Sequence, residues 1–151
     1  MTAGEVYVDP SAQARLYLHQ AGSREMCAWR QRLRGALPVT HHGRTEIINA
    51  LCRAAFLGQL AREGLSRALA DFTSDFAEGR LWQADILWRA ALNGAAELSQ
   101  RYTPTLGTRS LDVLHVACAL ELKLHHFLTL DERKRQLATA TGLKLVRVGF
   151  R

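Results

Sequence analysis

The sequence predicts an α/β fold, and three observations predict it. Short β-branched and aromatic runs alternate with segments whose apolar residues recur every three or four positions. No linker, low-complexity segment or internal repeat interrupts the alternation, so residues 1–151 read as a single domain. Two aspartates, Asp9 and Asp131, fall at carboxyl ends of predicted strands, which is where open α/β sheets bind their ligands.

The elements follow in order. Residues 5–8 (EVYV) form a strand stopped at Asp9-Pro10, and Ser11 caps a helix over 11–20. A second helix covers 23–33. Residues 36–41 (ALPVTH) form a weaker strand, with Pro38 tolerable only near its start or edge. From Thr45 the period becomes helical through Ile47, Ile48, Leu51, Ala54 and Leu57, until Gly58 or Gly64 ends the element. A helix over 65–78 stops at Gly79, and RLWQAD holds a short strand. A long helix over 86–102 is closed by Pro104. Residues 110–123 form an apolar helix, HHFLTLD a strand, 132–141 a helix ended by Gly142, and LKLVRV the last strand. Strands alternating with helices imply a parallel sheet covered on both faces.

Composition narrows the function classes. No apolar run approaches the roughly 18 residues of a membrane span, and MTAGEVYVDP lacks a signal-peptide pattern. Cys27, Cys52 and Cys118 are odd in number, far apart and outside any C-x-x-C pair, so free thiols in a reducing cytoplasm are expected. The net charge is +6 and the pI about 9.8. Three of the 20 basic residues are lysine, so arginine dominates. That suits bidentate phosphate contacts, and it equally serves solubility.

Four acids stand at element boundaries: Asp9, Glu46, Asp112 and Asp131. Singly, each has an ordinary explanation. An acid in a first helical turn gains about 0.3–1 kcal/mol from the helix dipole, and an aspartate after a strand is common turn chemistry. Together, in one basic α/β domain, they point to an oxygen-rich site. Converging carboxylates repel unless a cation sits among them, so Mg²⁺ or Mn²⁺ is the expected cofactor. The natural chemistry is phosphodiester hydrolysis by metal-activated water. Convergence also implies that Asp112→Asn leaves the metal-free protein no less stable.

The stretches VYVDPSAQARLYL, RTEIINALCRAAFLG, GTRSLDVLHVACALEL and FLTLDERKRQLATATGLKLV span the chain almost end to end. In that order they resemble the PIN-domain family and, within it, VapC-like toxins of toxin–antitoxin pairs. The resemblance implies a three-layer α/β/α PIN-like domain with a small, about five-stranded parallel sheet. It implies a metal-dependent endoribonuclease, with Asp9, Glu46, Asp112 and Asp131 catalytic, leaving 5′-phosphate and 3′-hydroxyl ends. Asp9 and Asp112 are the expected direct metal ligands, with Glu46 ligating directly or through water. Asp131 would hold an outer-sphere water or a second metal.

Ser11 takes the place of the family's hydroxyl residue, Thr129 stands beside Asp131, and Asn49 shares a helix face with Glu46. Pro10 departs from the usual Thr or Ser, which puts the local geometry after Asp9 in question. Partners implied are an RNA substrate such as a transfer- or ribosomal-RNA loop, a small DNA-binding antitoxin, and a second copy in a homodimer. No membrane partner is implied.

Arg44, Arg109, Arg133, Lys134 and Arg135 flank the acids in sequence, as phosphate contacts or as plain solvated charge. His115 reads as a structural histidine in an apolar helix, with catalytic base as the sharper reading. The adjacent pairs His41-His42 and His125-His126 point to opposite faces if extended, so neither makes a metal clamp. Haloacid-dehalogenase-like phosphatases need a second aspartate where Ser11 stands. The other alternative is a non-catalytic PIN-fold module that binds nucleic acid or protein.

Overall fold

Every strand pairing among the described residues is parallel. A computed structural model describes residues 1–149, so the last two positions of the expected 1–151 domain lie outside the described residues. The elements run β1 (Val6–Val8), α1 (Pro10–Gln13), α2 (Ser23–Gln31), β2 (Leu37–Thr40), α3 (His41–Phe56), α4 (Arg62–Ala77) and β3 (Leu81–Ala84). They continue with α5 (Trp88–Leu106), α6 (Ser110–Glu121), β4 (His126–Leu128), α7 (Glu132–Ala140) and β5 (Lys144–Leu145). No helix among the described residues is long and apolar enough to cross a membrane.

The five expected strands are present, but as two ladders, β1-β4-β5 and β2-β3. β1 runs beside β2 without a ladder between them. Pro38 supplies a reason. Leu37 gives its N–H to Arg80 on the β3 side, so alternation turns position 38 toward β1, where proline has no donor. The last strand is also shorter than LKLVRV suggests, with only Lys144–Leu145 paired.

Alternation along β1 and β4 divides the core. Tyr7 and Phe127 face a cluster with Ala91 and Ala95 of α5, Val113 to Ala119 of α6, and Leu137 of α7. Val6, Val8 and Leu128 face the other cluster, with Met26 and Trp29 of α2, Ile47 of α3 and Phe72 of α4. Helices therefore cover both faces of a mixed α/β core, compatible with a three-layer α/β/α arrangement.

α6 buries seven residues, more than any other helix among the described residues, which fits its apolar sequence. Burial pushes the Cys118 thiol up to about 12, whereas Cys52 is exposed and Cys27 half-buried. A thiol reagent should therefore label Cys52 in the native protein and reach Cys118 only after unfolding. Native labelling of Cys118, read by peptide mapping, would mean that α6 opens far more readily than the rest of the core.

Several helix boundaries differ from the sequence expectation, α4 for instance beginning at Arg62 instead of Leu65, and three of the differences stand out. The helix expected over 11–20 is a single α turn followed by a 3₁₀ turn at Ala14–Leu16, with Asp9, not Ser11, at the N-cap position. α3 starts at His41 instead of Thr45, because the Thr40 side chain accepts from Gly43 N–H at 2.9 Å and caps it. Pro104 does not close α5: Gln100, whose carbonyl loses its donor, is exposed, and the helix runs on to Leu106.

Gly107 is the stop for α5. It adopts φ 64°, and its N–H returns to the Thr103 carbonyl. A Cβ at Gly107 meets nothing within 4 Å, so Gly107→Ala tests backbone conformation alone. The expected cost is about 1 kcal/mol, or roughly 2–4 °C in Tm. An unchanged melting curve would show that the left-handed cap contributes nothing.

Candidate functional site

Two polar clusters lie where β1 ends between α3, α6 and α7. The first is built on Asp9, which follows β1 and is fully buried. Its backbone N–H continues the ladder to Leu128, while its carbonyl receives Ala12 and Gln13 from the first turn of α1. Pro10 occupies N1 of that helix, where an N–H would have no intrahelical partner. The departure at Pro10 therefore costs the local geometry nothing.

The Asp9 carboxylate accepts three donors. Ser11 Oγ lies 2.5 Å and Thr129 Oγ1 3.1 Å from Oδ2, and Lys134 Nζ lies 2.8 Å from Oδ1. Lys134 Nζ also stands 3.4 Å from Asp112 Oδ1. One ammonium thus joins carboxylates from β1 and α6. The lysine read as a peripheral RNA contact is instead the cation at the centre of the acidic pair. Burial alone would push its pKa down, but Asp9 and Asp112 hold it above the ordinary lysine value.

Local sequence explains how Lys134 gets there. Asp131 caps α7, accepting from Lys134 N–H at 3.0 Å, while its own N–H reaches Thr129 Oγ1 at 3.1 Å. Helical side chains lean toward the N-terminus, so a residue in this first turn leans back over the end of β4. Asp131 itself is exposed and makes its contacts as a cap.

Asp112 is both a cap and a pocket group. Its Oδ2 accepts from Arg109 N–H at 3.2 Å at the start of α6, while Oδ1 faces Lys134. Bare repulsion between the two acids therefore does not describe the metal-free protein. Asp112→Asn removes an ion pair with Lys134, contrary to the sequence expectation that the change leaves stability unharmed.

Glu46 belongs to the second cluster. Its Oε2 is 2.5 Å from His115 Nε2 and its Oε1 is 3.6 Å from His42 Nε2. Lys134 influences it through space only. Burial would raise its pKa, yet the His115 hydrogen bond, then His42 and Lys134, hold it below the ordinary carboxylate value. His115 is itself buried, and its Nδ1 shares a 2.7 Å hydrogen bond with the Tyr7 hydroxyl.

The remaining expected residues are peripheral. Asn49 is exposed and makes no side-chain hydrogen bond to Glu46 among the described residues. Arg44, Arg109 and Arg133 are exposed, and Arg135 is half-buried, bonded to the Thr129 carbonyl at 3.3 Å. His42, expected in extended chain, is helical instead. It stands in the first turn of α3, four residues before Glu46, and that i, i+4 spacing was the signal that could have found it. No protein-family model matches the chain, and no curated protein matches it.

Proposed function

We propose that this chain is a metal-dependent endoribonuclease with a PIN-like three-layer fold, acting as the toxin of a toxin–antitoxin pair. The observation that carries the reading is the meeting of Asp9 and Asp112 on one cation, Lys134 Nζ. Two carboxylates from distant parts of the chain, one of them fully buried, are held where positive charge is stabilised. By donor chemistry they fit Mg²⁺ or Mn²⁺, which take oxygen ligands. Each of the two oxygens facing Lys134 has a lone pair to spare beyond that contact.

Asp9 and Asp112 would hold the metal, and a bound ion would supply Lewis acidity and an activated water at neutral pH. Ser11 and Thr129 fix the Asp9 carboxylate. Glu46 is the least direct of the expected ligands, because both its oxygens face histidines. Asp131 acts by capping α7 and so positioning Lys134. Arg109 and Arg133, exposed at the starts of α6 and α7, would hold RNA phosphates, and single-stranded loops would expose bases for reading. Phe56 and Leu57, 87% and 50% exposed at the end of α3, support a homodimer.

One observation favours a second reading, a PIN-fold module that binds RNA or protein without cutting. Lys134 already balances one of the two carboxylate charges, so the acidic pair is held together without a metal.

Incubation with total cellular RNA separates the two. Discrete fragments with 5′-phosphate ends are expected with Mg²⁺ or Mn²⁺, and none with EDTA or with Asp9→Asn. Asp112→Asn serves as a second control, and both variants are checked for folding by thermal melts. Retained RNA binding without metal-dependent cleavage would favour the module, and cleavage equal in both variants would sink the assignment of the acids.

A further inference from the structure

We infer that His42, Glu46 and His115 form a metal site of their own, for a divalent cation of the zinc class, distinct from the Asp9–Asp112 pair. His42 and Glu46 stand one turn apart on α3, and His115 reaches them from α6. One donor atom of each lies within 4.8 Å of the others. Zinc bonds of about 2.0–2.1 Å place tetrahedral donors roughly 3.4 Å apart. The 3.6 Å between His42 and Glu46 meets that spacing, and the 2.5 Å between His115 and Glu46 must open by about 0.9 Å, a rotation of the half-buried Glu46 carboxylate, as a metal replaces the proton between them.

A second observation points to a ligand. His42 Nε2 is buried and has no hydrogen-bond partner, since 3.6 Å from Glu46 is too long for one. Buried polar atoms are rarely left so, and this imidazole nitrogen, facing a carboxylate and another imidazole, is placed to give its lone pair to a cation. The His42 ring is held in that pose edge-on to Trp88 and stacked at 5.2 Å on His115.

A third observation is the support behind His115. Ligating histidines bond their other ring nitrogen to a neighbour that fixes the ring. The Tyr7 hydroxyl does this at 2.7 Å and serves either tautomer. When Nε2–H donates to Glu46, the hydroxyl donates to Nδ1. When Nε2 gives its lone pair to a metal, Nδ1–H donates to the hydroxyl oxygen.

The donor set decides the cation. Two imidazoles and one carboxylate suit zinc, cobalt or iron(II) over magnesium. The His42 and Glu46 side chains are 25% and 29% exposed, so a remaining coordination position opens to solvent. Three protein ligands with an open fourth position is the arrangement of zinc sites that bind water or a substrate. The inference does not rest on the nuclease reading, because it engages Glu46 with histidines and leaves Asp9 and Asp112 to Lys134.

The test uses the full chain without an affinity tag, reduced, titrated with Co²⁺ and then Zn²⁺. The tightest-bound Co²⁺, one per chain, is expected at this site, with visible d–d bands, no near-ultraviolet sulfur charge-transfer band, and displacement by Zn²⁺, any Co²⁺ at the Asp9–Asp112 pair binding more weakly. His42→Ala should weaken binding on the order of 100-fold or more, and Tyr7→Phe roughly tenfold. Asp112→Asn should leave this tightest Co²⁺ bound and remove only any weaker binding at the carboxylate pair. Wild-type affinity in His42→Ala, or no Co²⁺ bound by the wild type, would overturn the site. So would loss of binding in Asp112→Asn alone, which would put the metal on the carboxylate pair. If His42→Ala does not fold, Glu46→Gln, which keeps the side chain's shape, must show the same loss. RNA cleavage is a separate readout, so its absence leaves this result standing.

Discussion

Replacing Lys134 with Met should lower the Tm of the metal-free protein by about 6–12 °C, corresponding to about 3 kcal/mol in a domain of this size. Methionine keeps the length and apolar stem of the side chain, so the loss isolates the ammonium. Without it, Asp9 faces Asp112 with only hydroxyl donors for compensation, and Asp9 is fully buried. Removing one partner of a buried pair costs about 3–5 kcal/mol. The lower end applies here, because the Lys134 and Asp112 side chains are 11% and 15% exposed. A cation that binds the folded state should then restore what the lysine supplied, so Mn²⁺ should raise the Tm of Lys134→Met more than that of the wild type. A shift below about 2 °C on mutation would show that the two carboxylates are not dependent on Lys134 for their charge balance.

Phe127→Ala should cost about 3–5 kcal/mol, with a Tm loss on the order of 10 °C or more. Phe127 is fully buried in β4, in register with Tyr7 of β1, and the two rings stack with centroids 5.4 Å apart and planes 1° apart. Truncation removes one wall of the ring whose hydroxyl supports His115. The same variant should therefore loosen the His42–Glu46–His115 cluster as well as the core. Phe127→Leu, which keeps most of the volume, should recover most of the stability. Denaturant unfolding would measure both, and a loss below about 1 kcal/mol for the alanine variant would show that the sheet centre collapses around the cavity.

Much of the architecture was legible in the chain. α6 announced itself by an apolar run interrupted only by Asp112 and His115, α7 by Gly142 after it, and the parallel pairing by alternation of strand and helix. The position of Asp9 followed from EVYV ending at a proline. What failed to show had local physical causes. Thr40 looks like a strand residue, yet its hydroxyl is a cap, and that hid the first turn of α3 and His42 with it. Pro104 looks like a terminator, but an exposed carbonyl tolerates the loss of one donor. Lys134 sits in ERKR, a run indistinguishable from solvated charge. Only the turn of helix begun by Asp131 carries it back to Asp9. The pairing of Glu46 with histidines, instead of with the other acids, depended on which rotamer tertiary packing selects.

The ladder from Val6–Val8 to His126–Leu128 has a consequence for the time at which the site exists. While the chain is being synthesised, β1 has no hydrogen-bonded partner until β4 has emerged. Asp9 has no ammonium until Lys134 follows. At about 5–20 residues per second, the first strand waits on the order of ten seconds for its neighbour. A nascent chain that carries Asp9 and even Asp112 therefore cannot assemble the acidic pair on its ammonium, and any activity that the pair confers begins only after β4 and α7 have emerged.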